Sequence, residues 1–271
     1  MSVLAAVILG IVQGLTEFLP VSSSAHLILA RAFFGWEVPD AFALAFDVAL
    51  HVGTLIAIVA FFRDDILSMV RALPHIASPG TNVSARIAQR IVVGTIPVII
   101  VGLLFNDYIE HRLRTPLVAA IALTAGAALM FIAERASSRQ RGQEHLTWLD
   151  AILIGCAQSS ALIPGVSRSG STIAIGMLLG LRREAAARFT FLLAIPAMLA
   201  AAGKEALELR GMALPADGAQ IMVIGLIVSA IVGYLTIKYF LRYLASNRLD
   251  VFAYYRWALA AVTFIWLWPR G

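Results

Sequence analysis

Apolar runs separated by charged clusters recur along the chain. Six of them approach the length a helix needs to cross a bilayer, at residues 41–62, 88–105, 116–133, 189–203, 219–240 and 251–269. Two further apolar segments, 1–30 and 151–180, break the pattern, because each carries proline, glycine and a serine cluster near its middle. Broken, polar backbone at membrane depth is tolerated only where protein or a water-filled cavity surrounds it. Both segments therefore predict re-entrant helix–loop–helix hairpins.

The two hairpins resemble each other. Gly10, Gln13, Pro20, Val21 and Ser22 align with Gly155, Gln158, Pro164, Val166 and Ser167, allowing a small gap before the proline and one inserted glycine. Each hairpin is followed by three spans, and an odd number of spans turns the second half over relative to the first. The expected fold is all-α: one polytopic integral membrane domain over 1–271, with six spanning helices and two re-entrant hairpins. Its inverted-topology repeat halves are 1–135 and 150–271, and the broken helices meet near the membrane midplane. Chance likeness between two small-residue-rich stretches is the rival account, and the agreement of sequence, position and topology argues against it.

Composition agrees. Of the 271 residues 60% are hydrophobic and 14% charged, with a mean hydropathy of +0.86, whereas a soluble domain is about half apolar and a quarter charged. A soluble globule is excluded. The pI of 9.8 and net charge of +5 are better explained by membrane orientation than by nucleic-acid binding. The topology gathers thirteen of the 21 Lys and Arg residues on one side, among them Arg63, Arg135, Arg139, Arg183 and Arg248. On the other side stand Arg31, Arg112, Arg114, Lys204, Arg210 and Arg270. By the positive-inside rule the first side is cytoplasmic, so the first hairpin enters from outside and the second from the cytoplasm. The single cysteine, Cys156, excludes an internal disulfide and a cysteine-cluster metal site. No Lys or Arg precedes Arg31, so the N-terminal run lacks the basic start of a cleaved signal peptide and is kept as part of the fold.

Ionisable residues inside a membrane domain are expensive, which makes each a functional candidate. Glu17 and His26 lie in the first hairpin, Arg168 in the second, Asp47 and His51 in the first span and Arg256 in the last. Gln13 and Glu17, four apart, share a helix face. Pro20 ends that helix, and the serines at 22–24 are placed to cap the next one. His26 follows Ser23 by one helical turn, placed to activate its hydroxyl or to attack an electrophile itself. In the second hairpin the glycines at 165 and 170, the amides of a new helix and the Arg168 fork describe an anion site. Asp47 and His51 either serve the site or form a buried pair, and Arg256 is expected to snorkel. No P-loop run exists, and Cys156 is too far from Arg168 for a cysteine-type phosphatase loop.

Gln13 with Glu17, the FLPVSSSAH run from Phe18 to His26 and the PGVSRSGST run from Pro164 to Thr172 resemble the two signature regions of the bacterial undecaprenyl-diphosphate phosphatase family, the bacitracin-resistance type. The likeness extends over essentially the whole chain. Two departures are small: position 13 is Gln where many relatives have Glu, and Ser24-Ala25 stands where Thr-Gly is common. The first shifts any proton-carrying or metal-binding load to Glu17.

The resemblance implies a hydrolase of the bacterial inner membrane that removes the terminal phosphate of a C55 polyprenyl diphosphate, recycling a lipid carrier for cell-wall synthesis. It implies a divalent cation, Mg²⁺ or Ca²⁺, bridging Glu17 and the diphosphate. Glu17, Ser23, His26 and Arg168 are the expected catalytic residues, and Gln13, Ser22, Ser167, Ser169, Gly170 and Thr172 the expected substrate contacts. The expected partners are the lipid substrate and membrane lipids, not nucleic acid; a homodimer is compatible with the reading, and the site is expected to face the periplasm. A secondary transporter or lipid-carrier flippase shares the architecture. A purely structural scaffold leaves Glu17, His26 and Arg168 without a reason.

Overall fold

The computed structural model describes residues 2–35, 40–78, 80–208 and 218–268, so Arg210 and Arg270 of the orientation reading lie outside the described residues. No strand occurs among the described residues, apart from one isolated bridge between Arg141 and Leu181. The helices are α1 (Val3–Thr16), α2 (Ser23–Phe34), α3 (Asp40–Phe61), α4 (Arg63–Arg71), α5 (Val83–Tyr108), α6 (Pro116–Ala136), α7 (Trp148–Ser160), α8 (Arg168–Leu178), α9 (Arg183–Glu208), α10 (Gly218–Leu244) and α11 (Asp250–Leu267). Among the described residues α3, α5, α6, α9 and α10 are long and apolar enough to cross a membrane. The sixth predicted span, 251–269, is present as α11, but this helix of 18 residues carries Asp250 and Arg256 and is not one of those five. Short α4 between α3 and α5 escaped the sequence reading, being charged rather than apolar.

Capping chemistry fixes the helix starts. Ser2, Ser22, Thr115, Thr147 and Ser167 each accept a backbone N–H of the first turn with their side chains, satisfying donors that have no partner within the helix. Both predicted hairpins are broken helices, α1–α2 and α7–α8. Each break ends on a serine with positive φ: Ser22 at φ 74°, ψ 98° and Ser167 at φ 70°, ψ 111°. These two positions are the ones paired by the sequence alignment, and such a backbone is rare outside glycine.

The first arm of each hairpin packs on a span from the other half of the chain, α1 along α10 and α7 along α5. Glycines permit the approach: a Cβ at Gly14 would meet Gly233 N at 2.9 Å, and one at Gly155 would collide with the Gly94 carbonyl oxygen. The core between the halves is aromatic, with Phe18 edge-on to Phe191 at 5.6 Å.

Charged residues collect at two separate ends. Fully buried Glu134 is gripped by Arg139 at 2.8 Å and by Arg183. Arg248 and Arg135 bind Asp250 close by, each at 2.9 Å. All four arginines belong to the more basic of the two sets. Arg31 and Arg114 of the other set meet on Asp47, at 2.9 and 3.8 Å.

Candidate active site

Glu17 follows α1 at the first break and is buried. Its Oε2 accepts Gln13 Nε2 at 3.0 Å and Ser23 Oγ at 2.6 Å, and its Oε1 accepts Nη2 of Arg168, the first residue of α8. A buried carboxylate needs such donors, because nothing else offsets its lost hydration. Residues 151 positions apart thus share one ion pair at the meeting of the two breaks.

Beside this pair lies a cavity of about 220 Å³. Glu17, Ser22, Ser23, Ser24, His51, Ser167 and Arg168 give it a polar end, and Val98, Leu162, Ala197, Met198, Ala201 and Ala202 line it with apolar groups. His51 is the twelfth of the 22 residues of α3, roughly 17 Å along the helix at 1.5 Å per residue. The polar end therefore sits at the depth of the helix middle. Pro97 and Pro196 lie inside the continuous helices α5 and α9, directly before the lining residues Val98 and Ala197. Glu205, near the end of α9, also lines the cavity.

Glu17, Ser23 and Arg168 are brought together as expected from sequence, whereas His26 is placed elsewhere. Its Nδ1 bonds the Ser22 carbonyl at 2.7 Å, its Nε2 bonds Tyr255 Oη at 2.7 Å, and the two rings stack at 5.6 Å. Ser23 gives its hydrogen bond to Glu17, not to His26. One helical turn permitted a His26–Ser23 contact, but the Ser22 carbonyl and Tyr255 claim both ring nitrogens. Gln13 supports Glu17 and is absent from the described cavity lining. Ser22 and Ser167 line the cavity and cap α2 and α8. Ser169 donates to the Leu19 carbonyl at 3.0 Å, and Thr172 to the Arg168 carbonyl at 2.6 Å. The N–H of Gly170 is occupied by Ser167 Oγ at 3.1 Å. None of the three is among the described lining residues: Ser169 ties the two breaks together, Gly170 completes the Ser167 cap, and Thr172 bonds within α8 and accepts from Thr190 at 3.0 Å.

The side chains of Asp47 and His51 do not pair, although His51 Nδ1 bonds the Asp47 backbone carbonyl at 2.8 Å. Asp47 holds Arg31, while His51 Nε2 comes within 3.9 Å of Glu17 Oε2 and joins the cavity wall. Their i, i+4 spacing gave no sign of this division.

Arg256 overturns the snorkelling expectation. It is 0% exposed. Its guanidinium donates to the carbonyls of Leu123 (3.2 Å), Ala122 (3.1 Å), Gly165 (2.8 Å) and Val166 (3.1 Å), and at 3.5 Å to that of Pro20. It satisfies backbone acceptors freed by both breaks, which is how irregular backbone survives inside a membrane protein. Gly126 and Gly170 leave room for it, since a Cβ on either would run into the guanidinium. Those glycines were the sequence signal available.

Among the described residues no group of three His, Cys, Asp or Glu could hold a metal ion. Glu17 offers one carboxylate whose two oxygens already take three donors, whereas Mg²⁺ and Ca²⁺ each need about six oxygen ligands or more. The side chains by themselves do not make a resident divalent-cation site.

The sequence model of the family described as "Bacitracin resistance protein BacA" matches residues 6–262. A protein of Rubrobacter xylanophilus named undecaprenyl-diphosphatase is 44% identical over 265 residues, covering 97% of both chains. Undecaprenyl-diphosphatase 2 of Stutzerimonas stutzeri is 44% identical over 269 residues and 98% of both chains. A Methanosphaera stadtmanae protein, also named undecaprenyl-diphosphatase, is 41% identical over 277 residues and 98% of both chains.

Proposed function

The chain belongs to the BacA bacitracin-resistance family, and on that premise we propose that it is a membrane phosphatase converting undecaprenyl diphosphate to the monophosphate and inorganic phosphate. The observation that carries this reading is the Glu17–Ser23–Arg168 constellation on a cavity with one polar and one apolar part. A diphosphate head fits the first, and the start of a polyprenyl tail fits the wall between α5 and α9. The names of the relatives favour hydrolysis over transport.

Phosphoryl transfer asks the protein mainly for positioning and for charge stabilisation. Arg168 turns from Glu17 to the terminal phosphate and stabilises the charge on its oxygens. Ser23 attacks the terminal phosphorus in line while its proton passes to Glu17, and the bond to the bridging oxygen breaks. The polyprenyl monophosphate leaves, taking up that proton. Glu17 then activates water, which splits the phosphoserine into free serine and inorganic phosphate. His26 pins the Ser22 carbonyl and so sets the turn that presents Ser23.

Several wider features belong to the same proposal. The shared backbone of Ser22 and Ser167, together with the exchange of α1 onto α10 and α7 onto α5, supports an inverted repeat with halves 1–135 and 150–271. Lining residue Glu205, near the end of α9 and next to Lys204 of the less basic set, supports a cavity directed to the periplasmic side. A divalent cation would draw most of its ligands from the diphosphate itself, with Glu17 supplying the carboxylate. A homodimer would add no group that the cavity requires, since one chain provides the constellation.

The test is direct. Purified protein in detergent, given a polyprenyl diphosphate, is expected to release inorganic phosphate. A transporter would release none and would show activity only between two compartments.

A further inference from the structure

The proposed chemistry leaves several polar residues of the cavity wall unused, Gln158 among them. Gln158 lies on α7 and is 2% exposed. Neither its Nε2 nor its Oε1 has a hydrogen-bond partner. Buried polar groups are nearly always satisfied, and leaving one orphaned is costly, so a carboxamide idle at both ends calls for an explanation.

The sequence repeat supplies a contrast. Gln13, the counterpart of Gln158, commits its NH₂ to Glu17 four residues further on. Four residues after Gln158 stands Leu162, which also lines the cavity. The second hairpin thus keeps the amide donor and replaces its acceptor with an apolar side chain. Ala161 and Leu162, in the turn directly after α7, belong to the apolar lining. Ser167 and Arg168, nine and ten residues after Gln158, belong to the polar end. Gln158 shares one cavity wall with both sets, so its carboxamide belongs to the lining that a bound lipid diphosphate would meet.

We propose that Gln158 is a substrate-binding residue whose carboxamide NH₂ donates to the proximal phosphate, the one that stays on the lipid, while Arg168 holds the terminal phosphate. This rests on the polyprenyl-diphosphatase reading and deepens it. The cavity then has two phosphate subsites with different keepers. The amide is neutral, so the phosphate that is kept is held less strongly than the one that is removed, and the monophosphate product can depart.

The test compares wild-type protein with Gln158→Met and Gln158→Glu, both close to Gln in volume. For Gln158→Met, kcat/KM is expected to fall roughly 10- to 100-fold, the effect of one hydrogen bond to a charged group. The inhibition constant of polyprenyl monophosphate should rise by a similar factor, while that of inorganic phosphate, which occupies the Arg168 subsite, stays unchanged. Gln158→Glu, which faces phosphate with a carboxylate, should be the worse of the two. In the ligand-free state Gln158→Met should match or exceed wild type in Tm, because it removes an unsatisfied buried amide. An unchanged kcat/KM overturns the inference, as does a lower Tm, which would mark a structural amide, or equal weakening of both inhibitors. If wild-type protein releases no phosphate from the lipid, the proposed function itself fails, whatever the variants do.

Discussion

Replacing Glu17 by Gln separates two jobs that the structure gives to one carboxylate. In the ligand-free arrangement Oε2 accepts Ser23 Oγ at 2.6 Å and Gln13 Nε2 at 3.0 Å, and Oε1 accepts Arg168. An amide can accept at only one end and cannot take a proton from Ser23. Loss of a general base typically costs about 10²–10⁴ in rate, so kcat should drop by that much. Binding should move the other way. Substrate must draw Arg168 away from Glu17, and a hydrogen bond to a charged partner is worth about 1–1.5 kcal/mol more than one to a neutral partner. The variant should therefore bind polyprenyl diphosphate up to about tenfold more tightly. Phosphate release from purified protein gives kcat, and equilibrium binding of the lipid gives Kd. Turnover within tenfold of wild type, or a defect expressed as weaker binding alone, would refute both the proton transfer and the competition for Arg168.

Arg168→Ala removes the clamp on the developing charge and should cost around two or more orders of magnitude in turnover; near-normal phosphate release would sink that assignment. Quenching the enzyme during turnover should trap phosphate on the peptide bearing Ser23, read by mass spectrometry, and an acid-labile phosphohistidine at His26 would exclude the serine route. Ser22→Gly should leave Tm unchanged or raised, because glycine accepts φ 74° freely and loses only a few tenths of a kcal/mol as a cap. Ser22→Val should lower Tm, since a β-branched residue is strained there. Gly155→Leu has to push α7 off the Gly94 carbonyl and should cost about 1–3 kcal/mol or more in a denaturation assay.

The spans were legible because bilayer thickness imposes a length on any apolar helix. α3 and α6 begin within a residue of their predicted starts, and α10 and α11 likewise. The hairpins were legible because proline, glycine and serine leave a local mark wherever a helix breaks. Glu17 and Arg168 could be paired from sequence because the repeat implied that the two tips meet. Contacts without local or symmetric cause were not legible. His26 and Tyr255 are 229 residues apart, and no periodicity links them. For Arg256, hydropathy gives a depth but not whether a side chain faces lipid or protein, so a buried anchor read as a snorkelling one. The orphaned amide of Gln158 is invisible to sequence because satisfaction of a polar group is a property of packing.

Arg256 has a bearing on how the protein is made. Its guanidinium reaches the Pro20 carbonyl across 236 residues of chain, which a ribosome adding about 5–20 residues per second takes roughly 12–47 s to deliver. Throughout that interval the Pro20 carbonyl lacks this donor, and the first break is held by His26 within the hairpin and later by Arg168 and Ser169. The last helix thus acts as the closing pin of biogenesis, and a nascent chain released before residue 256 would hold every acid and base of the reaction yet lack the bolt that aligns them.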